Sequence, residues 1–267
     1  MNLLRWILPV FLIGVFWWRW KLPAGFILAT GVLSEAVLLF LIPENPALPW
    51  PVHALIAGSV PLCVIFLGCM FLFFRDPERN IPSDPNTILS PADGIVRYIR
   101  SFSPDGRIDI EKKGRLIPVH DIVKSDPPVR DGLHVGIEMR VTDVHVNRIP
   151  IDGVLVRQTR YPGAFKSLRD IRAVTENERL VTRIDHPDQP VVVVQIASRL
   201  VRRIVSYCRE GQFVARGQRM GAIRFGSQVD LIFPRIPGQS VLVREGQRVR
   251  AGETRIAGRP RSRMGQP

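Results

Sequence analysis

The chain is poor in cysteine. Cys63, Cys69 and Cys208 are the only three among 267 residues. Two lie in the apolar N-terminal third and one far along the chain, so they make no disulfide framework and fit a reducing compartment. The five histidines (His53, His120, His134, His145, His186) form no pair spaced with cysteine or carboxylate partners as a metal site requires, and no metal is expected. No G-x-G-x-x-G follows a strand and no P-loop is present, which excludes the common nucleotide folds. The net charge is +13, yet there is no basic run with interleaved aromatics, no helix-turn-helix pattern and no zinc-finger spacing. A nucleic-acid partner is therefore not expected.

Charge is also scarce at the start. Between Met1 and Phe74 the charged residues are Arg5, Arg19, Lys21, Glu35 and Glu44, so the chain from Arg75 onward carries +12 of the +13. Leu3–Trp18, Leu22–Ile42 and Val52–Phe74 are apolar. The last two reach the length of about 20 residues that a bilayer span needs, and the first could span, re-enter or lie at the interface. The absence of an A-x-A site before Lys21 and the further span that follows argue against a cleaved signal peptide. The loop at Arg19-Trp20-Lys21 and the exit at Arg75–Arg79 are basic, whereas Pro43–Pro51 has no Lys or Arg. The positive-inside rule then places the later domain on the cytoplasmic side of a cell membrane, its basic charge toward an anionic lipid surface. Expected units are 1–74, membrane-anchoring helices, and 75–267, a soluble domain.

After Arg75 the pattern becomes short strands separated by Pro, Gly and Asp clusters. Gly94–Ile99, Leu133–Met139, Gly153–Thr159, Arg179–Asp185, Val191–Ala197, Val229–Phe233 and Val241–Arg244 read as strands. The unbroken Val191–Val194 predicts a central strand buried on both faces. Lys166–Val174 is the one clear helical stretch. Cys208–Gly217 and Val243–Gly252 share a strand, a Glu-Gly turn, an apolar step and a second glycine. That pattern matches hairpins of barrel-sandwich-hybrid domains. The fold class expected is mainly β, a barrel or sandwich-hybrid-like domain with few short helices, preceded by N-terminal transmembrane helices.

Gly226-Ser227 lies between two strand-like segments. A serine can attack the carbonyl of a preceding glycine, which has no side chain to shield it and tolerates strained angles. The plain alternative is an ordinary turn or bulge.

Four motifs occur in order: Phe73-Phe74-Arg75-Asp76-Pro77-Glu78-Arg79, Ser90-Pro91-Ala92-Asp93-Gly94, Asp143-Val144-His145-Val146-Asn147-Arg148, and Phe225-Gly226-Ser227 followed by Val229-Asp230. Together with Asn177-Glu178-Arg179 they resemble the short-form, pyruvoyl-dependent phosphatidylserine decarboxylase family. The resemblance implies that Ser227 Oγ attacks the Gly226 carbonyl and the acyl group moves from nitrogen to oxygen. β-Elimination then frees the Gly226 carboxylate and leaves dehydroalanine. Hydrolysis by water releases ammonia and leaves a pyruvoyl group as the covalent cofactor. The large and small chains would stay associated, and the ketone would take the phosphatidylserine amine as a Schiff base, assist loss of CO₂ and yield phosphatidylethanolamine.

The same resemblance assigns roles. Ser227 is the cofactor precursor and Gly226 the residue ahead of the cut. Asp93 orients a base, or simply makes an Asp-Gly turn. His145 transfers protons, or packs as a histidine donating to a backbone carbonyl. Long forms carry a second histidine where this chain has Arg148, so the self-cleavage base is left open. Asn147 and Arg148 are candidate substrate-binding residues for phosphate or carboxylate, with a surface ion pair as the alternative. Arg75 and Arg79 would meet lipid headgroups, or pair with Asp76 and Glu78. Rival readings are a membrane-tethered, non-enzymatic adaptor and a decarboxylase of a related lipid such as archaetidylserine. A homo-oligomer is compatible with all of them.

Overall fold

The computed structural model describes residues 24–41, 49–102, 107–110, 115–123, 131–164, 166, 172–197, 204–223 and 227–259, with the side chains of 107–120 and of Ser227 among those left out. The chain divides into two compact units, Met1–Phe74 and Arg75–Pro267.

The first unit holds helices α1 (Ala24–Leu41) and α2 (Trp50–Phe74). Gly68 lets them approach closely, because a Cβ there would sit 2.9 Å from the Phe26 ring. The two hydroxyls of α1 are satisfied along the helix itself: Thr30 Oγ1 donates to Phe26 O at 2.9 Å and Ser34 Oγ to Thr30 O at 2.6 Å. Leu28, Leu67 and Phe71 lie outward and exposed. Among the described residues no helix is long and apolar enough to cross a membrane. The spans expected from the sequence are therefore not shown by the fold, and Leu3–Trp18 lies outside the described residues.

The second unit is mainly β. Its largest sheet curls into a half-barrel with the order β11 (Phe213–Val214), β7 (Gly153–Tyr161), β8 (Arg179–Asp185), β9 (Pro190–Ala197), β13 (Ser227–Pro234), β5 (Gly132–Met139), β2 (Gly94–Phe102), β3 (Arg107–Ile110), β4 (Arg115–Pro118). A last strand, β15 (Arg248–Val249), also pairs with β2. Two three-stranded sheets accompany it: β10 (Ile204–Ser206), β12 (Arg219–Ile223) and β6 (Val146–Arg148), and then β1 (Thr87–Leu89), β16 (Arg255–Gly258) and β14 (Ser240–Val241). The short helices described are α3 (Val119–Val123) and α4 (Ala173–Glu176).

Period-two alternation divides the large sheet into two faces. On one face Val229, Leu231 and Phe233 join Val135, Ile137, Val191 and Val193. On the other, Ile232 joins Val192, Val194, Phe102 and Ile122. Val191–Val194 thus forms a central strand buried on both faces, as its unbroken apolar run requires. Six of the seven expected strands appear, most extended by a residue or more. Val241–Arg244 shortens to Ser240–Val241, because Arg244 N bonds Gln247 Oε1 and turns the chain. The expected helix Lys166–Val174 mostly falls outside the described residues; the described helix is Ala173–Glu176.

Each of the paired turns lies in the connection of an antiparallel strand pair, β10 with β12 and β14 with β16, as the hairpin pattern predicts. Each inserts a two-residue strand against a distant partner, β11 on β7 and β15 on β2. Gly211 N donates to Leu155 O and Gly246 N to Val96 O, both at 2.8 Å; the two glycines take φ of 79° and 82°. The correspondence extends to their partners. Pro91-Ala92-Asp93-Gly94 and Pro150-Ile151-Asp152-Gly153 occupy equivalent places: Asp93 Oδ1 accepts from Ala251 N at 2.7 Å, and Asp152 Oδ1 from Arg216 N at 2.9 Å. The domain is therefore built on an internal two-fold repeat, with Asp93 and Asp152 as counterparts.

Candidate active site

The Arg75–Arg79 segment is folded onto the β unit as a strap. Arg75 Nη2 donates to Thr142 O at 2.9 Å. Arg79, with a side chain 5% exposed, grips both oxygens of Asp93 at 3.0 and 2.9 Å. Asp76 accepts from Arg148 and Arg219, and Glu78 from Arg219. For Arg79 the expectation of a lipid headgroup, or of Asp76 or Glu78, is corrected: it is buried and its partners are Asp93 and Glu253; Arg75 reaches the Thr142 carbonyl. Asp93 is buried, so its charge needs this compensation. The Asp93 carboxylate caps Ala251 N–H and binds Arg79, which fixes the Asp-Gly segment in place. Its counterpart Asp152 has the cap and a looser contact, 3.6 Å, to Arg216.

His145 lies on the loop between β5 and β6 and is 2% exposed. Its Nδ1 is 2.8 Å from the Asp143 carbonyl oxygen, which can only accept. Nδ1 therefore carries the hydrogen, and Nε2 carries the lone pair in the neutral ring. Burial, with a smaller push from Arg75, lowers the His145 pKa from 6.5 to about 4. At neutral pH this histidine accepts a proton before it can deliver one. Asp143 is fully buried; Arg140 N and Arg248 Nη2 donate to its carboxylate, which burial nonetheless pushes up. Arg248 thus holds the carboxylate of the residue whose carbonyl fixes the histidine. This role was hidden in the repeat, where Arg248 reads as an ordinary turn residue.

Gly226 lies outside the described residues. The chain reaches it from Ile223, whose N–H donates to His145 O at 3.2 Å, and leaves it at Ser227, the first residue of β13. Ser227 pairs with Met139 on one side and Ala197 on the other. Around that position the sheet face carries a buried carboxamide pair: Gln195 Nε2 donates to Asn147 Oδ1 at 2.7 Å, and Asn147 Nδ2 faces Met139 Sδ at 3.8 Å. Asn177 braces the far side by donating to Ala197 O at 2.9 Å. Gln195 was missed because its carboxamide interrupts an otherwise apolar strand with no motif of its own.

Arg148 is buried and committed within the protein. Nη1 donates to Gly217 O at 2.9 Å, and Nη2 to Asp76 and Pro77 O at 3.1 and 2.9 Å. Asn147 is fully buried and bonded to Gln195. Neither side chain is presented to a substrate, and the substrate-holding expectation gains nothing from their geometry. Among the described residues no cluster could hold a metal ion.

A family model described as phosphatidylserine decarboxylase matches residues 66–257. A relative from Methanothermobacter thermautotrophicus that bears the name of an archaetidylserine decarboxylase proenzyme is 43% identical over 194 residues, 72% of this chain and 81% of that one. The phosphatidylserine decarboxylase proenzyme of Erythrobacter litoralis is 39% identical over 200 residues, 74% of this chain and 75% of that one. That of Gluconacetobacter diazotrophicus is 37% identical over 234 residues, 87% and 90% of the two chains.

Proposed function

The chain belongs to the phosphatidylserine decarboxylase family, and from that premise we propose how its site works. The protein is a decarboxylase that converts phosphatidylserine to phosphatidylethanolamine in phospholipid biosynthesis. It is made as a proenzyme and cuts itself between Gly226 and Ser227, which leaves a pyruvoyl group at position 227. That group supplies a ketone able to draw electrons from the bond to the departing carboxylate. The residues around position 227 fit such a group. A chain starting there begins a strand paired on both sides, so the small chain keeps its place after the cut.

The observation that carries this reading is the state of His145. Its ring is neutral and buried, its hydrogen sits on Nδ1, and its backbone holds Ile223 three residues before Gly226. Such a ring takes up a proton at Nε2, either from the attacking hydroxyl or in the later lipid reaction. Asp93, neutralised by Arg79, and Asp143, neutralised by Arg248, hold the two loops that frame it. The apolar N-terminal unit anchors the enzyme in the membrane with the β unit on the cytoplasmic side. The outward-facing Leu28, Leu67 and Phe71 support that anchoring.

Intact-mass analysis of purified protein tests the proposal. Two chains are expected, the smaller starting at position 227 with ammonia lost, and Ser227→Ala should give one uncut, inactive chain. Vesicles of diacyl and of ether-linked serine lipid, with CO₂ release followed, distinguish the two headgroup-sharing substrates. An active protein with an intact Gly226–Ser227 bond would overturn the reading.

A further inference from the structure

A second polar cluster lies on the other face of the sheet, two residues beyond the proposed cut. Asp230 is fully buried and accepts three side-chain bonds: Tyr98 Oη at 2.9 Å and His134 Nε2 at 2.7 Å on Oδ2, and Gln228 Nε2 at 2.6 Å on Oδ1. Gln228 Nε2 also donates to Tyr98 Oη at 2.7 Å. The Tyr98 and His134 rings meet edge to face, 5.0 Å apart. We propose that Gln228, Asp230, Tyr98 and His134 are positioning residues: they grip the first residues of the small chain from behind and fix the orientation of the carbonyl group formed at position 227. This rests on the proposed cut at Gly226–Ser227.

The register supplies the reason. Val229, Leu231 and Phe233 face the core that includes Met139 and Ile223, close to the His145 loop, whereas Gln228 and Asp230 alternate to the opposite face with Ile232. The cluster therefore holds the strand without occupying the side where the site residues gather. Tyr98 and Asp230 are both register partners of Gly136, on the strand between them. A Cβ at position 136 would lie 2.2 Å from Tyr98 Cζ, so only glycine there lets the tyrosine reach across β5. Burial and the neighbouring Asp230 push the Tyr98 phenol well above its ordinary value, which keeps it a donor. Before the cut, position 227 is held by the chain on both ends; afterwards only Gln228 continues it. The Gln228 nitrogen belongs to the amide whose carbonyl carbon bears the new ketone, so fixing this residue leaves one C–C torsion between the held strand and that ketone. Misplacing a reacting group by about 1 Å can cost on the order of a hundredfold in rate.

Gln228→Ala and Tyr98→Phe in the full chain test the proposal through three readouts. The fraction cut should match wild type. Hydrogen exchange at the N-terminal amides of the small chain should rise, and labelling of the carbonyl by phenylhydrazine should change in rate. CO₂ release per cut chain should fall about tenfold in Gln228→Ala, with the double variant no worse than Gln228→Ala alone. Wild-type exchange, labelling and turnover in both variants would overturn it. Failure of Gln228→Ala to cut, with Tyr98→Phe indistinguishable from wild type, would overturn it too, since the side chain would then act before cleavage. A wild-type protein that is never cut would instead sink the underlying proposal.

Discussion

Replacing His145 with asparagine and varying pH separates a buried neutral base from an ordinary histidine. The folded pKa is about 4 against 6.5 for an exposed ring, a difference worth about 3 kcal/mol between the two protonation states. Above pH 6.5 the ring is neutral folded or unfolded, and its burial has no pH-linked cost. As pH falls from 6.5 toward 4 the unfolded chain binds a proton that the folded chain refuses, so stability drops across that window and levels off below it. In a Ser227→Ala background, which prevents cutting, urea midpoints of the His145-containing protein should lose about 3 kcal/mol more over that window than those of His145→Asn. Arg75 faces the ring, and Asp143 touches it through its carbonyl. The raised Asp143 carboxyl works in the opposite direction, but it is present in both proteins and cancels in the difference. With Ser227 restored, self-cleavage should stay level from about pH 8 to about pH 5, because Nε2 keeps its lone pair throughout. A cleavage rate that halves near pH 6.5, or equal acid sensitivity of the two stabilities, would refute the argument.

Other outcomes follow from the same geometry. Asp93→Asn should slow cutting and turnover at least about tenfold, whereas Asp152→Asn should leave both within about twofold, because each retains its cap but only Asp93 faces Arg79; gels and CO₂ release read this. Arg148→Met should lower stability by about 2 kcal/mol in urea titration, because it leaves the Gly217 and Pro77 carbonyls without their donor while Asp76 keeps Arg219. Gly136→Ala should cost about 2 kcal/mol by overpacking against Tyr98 and should raise hydrogen exchange at the start of β13.

The strands were legible where burial is one-sided or complete. The Val191–Val194 run stays apolar because both its faces are covered, and there packing agreed with propensity. The strap was not legible. Arg75 to Arg79 reads as a charged membrane exit, and nothing local says that Arg79 will find Asp93, fourteen positions on, while Asp76 finds Arg148 and Arg219. Such ion pairs are chosen by tertiary proximity, to which a sequence pattern is blind. For the same reason Arg148 looked like a phosphate ligand; its fork is instead filled by Asp76 and two carbonyls. His145 was identified by its motif, but its charge state was not, because desolvation depends on what packs over the ring. The repeat was half seen. The similarity of Cys208–Gly217 to Val243–Gly252 is visible in letters, whereas the matching Pro-x-Asp-Gly turns become evident only once their carboxylates cap equivalent N–H groups.

The repeat and the proposed cut together explain why self-cleavage need not unfold the domain. A break inside a central strand would sever a ladder flanked on both sides. A break ahead of Ser227 falls at the strand's first residue, so the pairings from Ser227 to Pro234 with β5, and from Ser227 to Ile232 with β9, all lie within the small chain's own strand. Val229, Leu231, Ile232 and Phe233 remain buried, each worth about 1.5–3 kcal/mol by area. The small chain also carries β15, which pairs beside Asp93, and Ala251 N–H, which caps that carboxylate. The small chain is thus held to the large one by the turn that carries Asp93. Loss of the small chain would remove the Asp93 cap and leave a buried carboxylate against Arg79 alone, so retention of the small chain and integrity of the site depend on the same contacts.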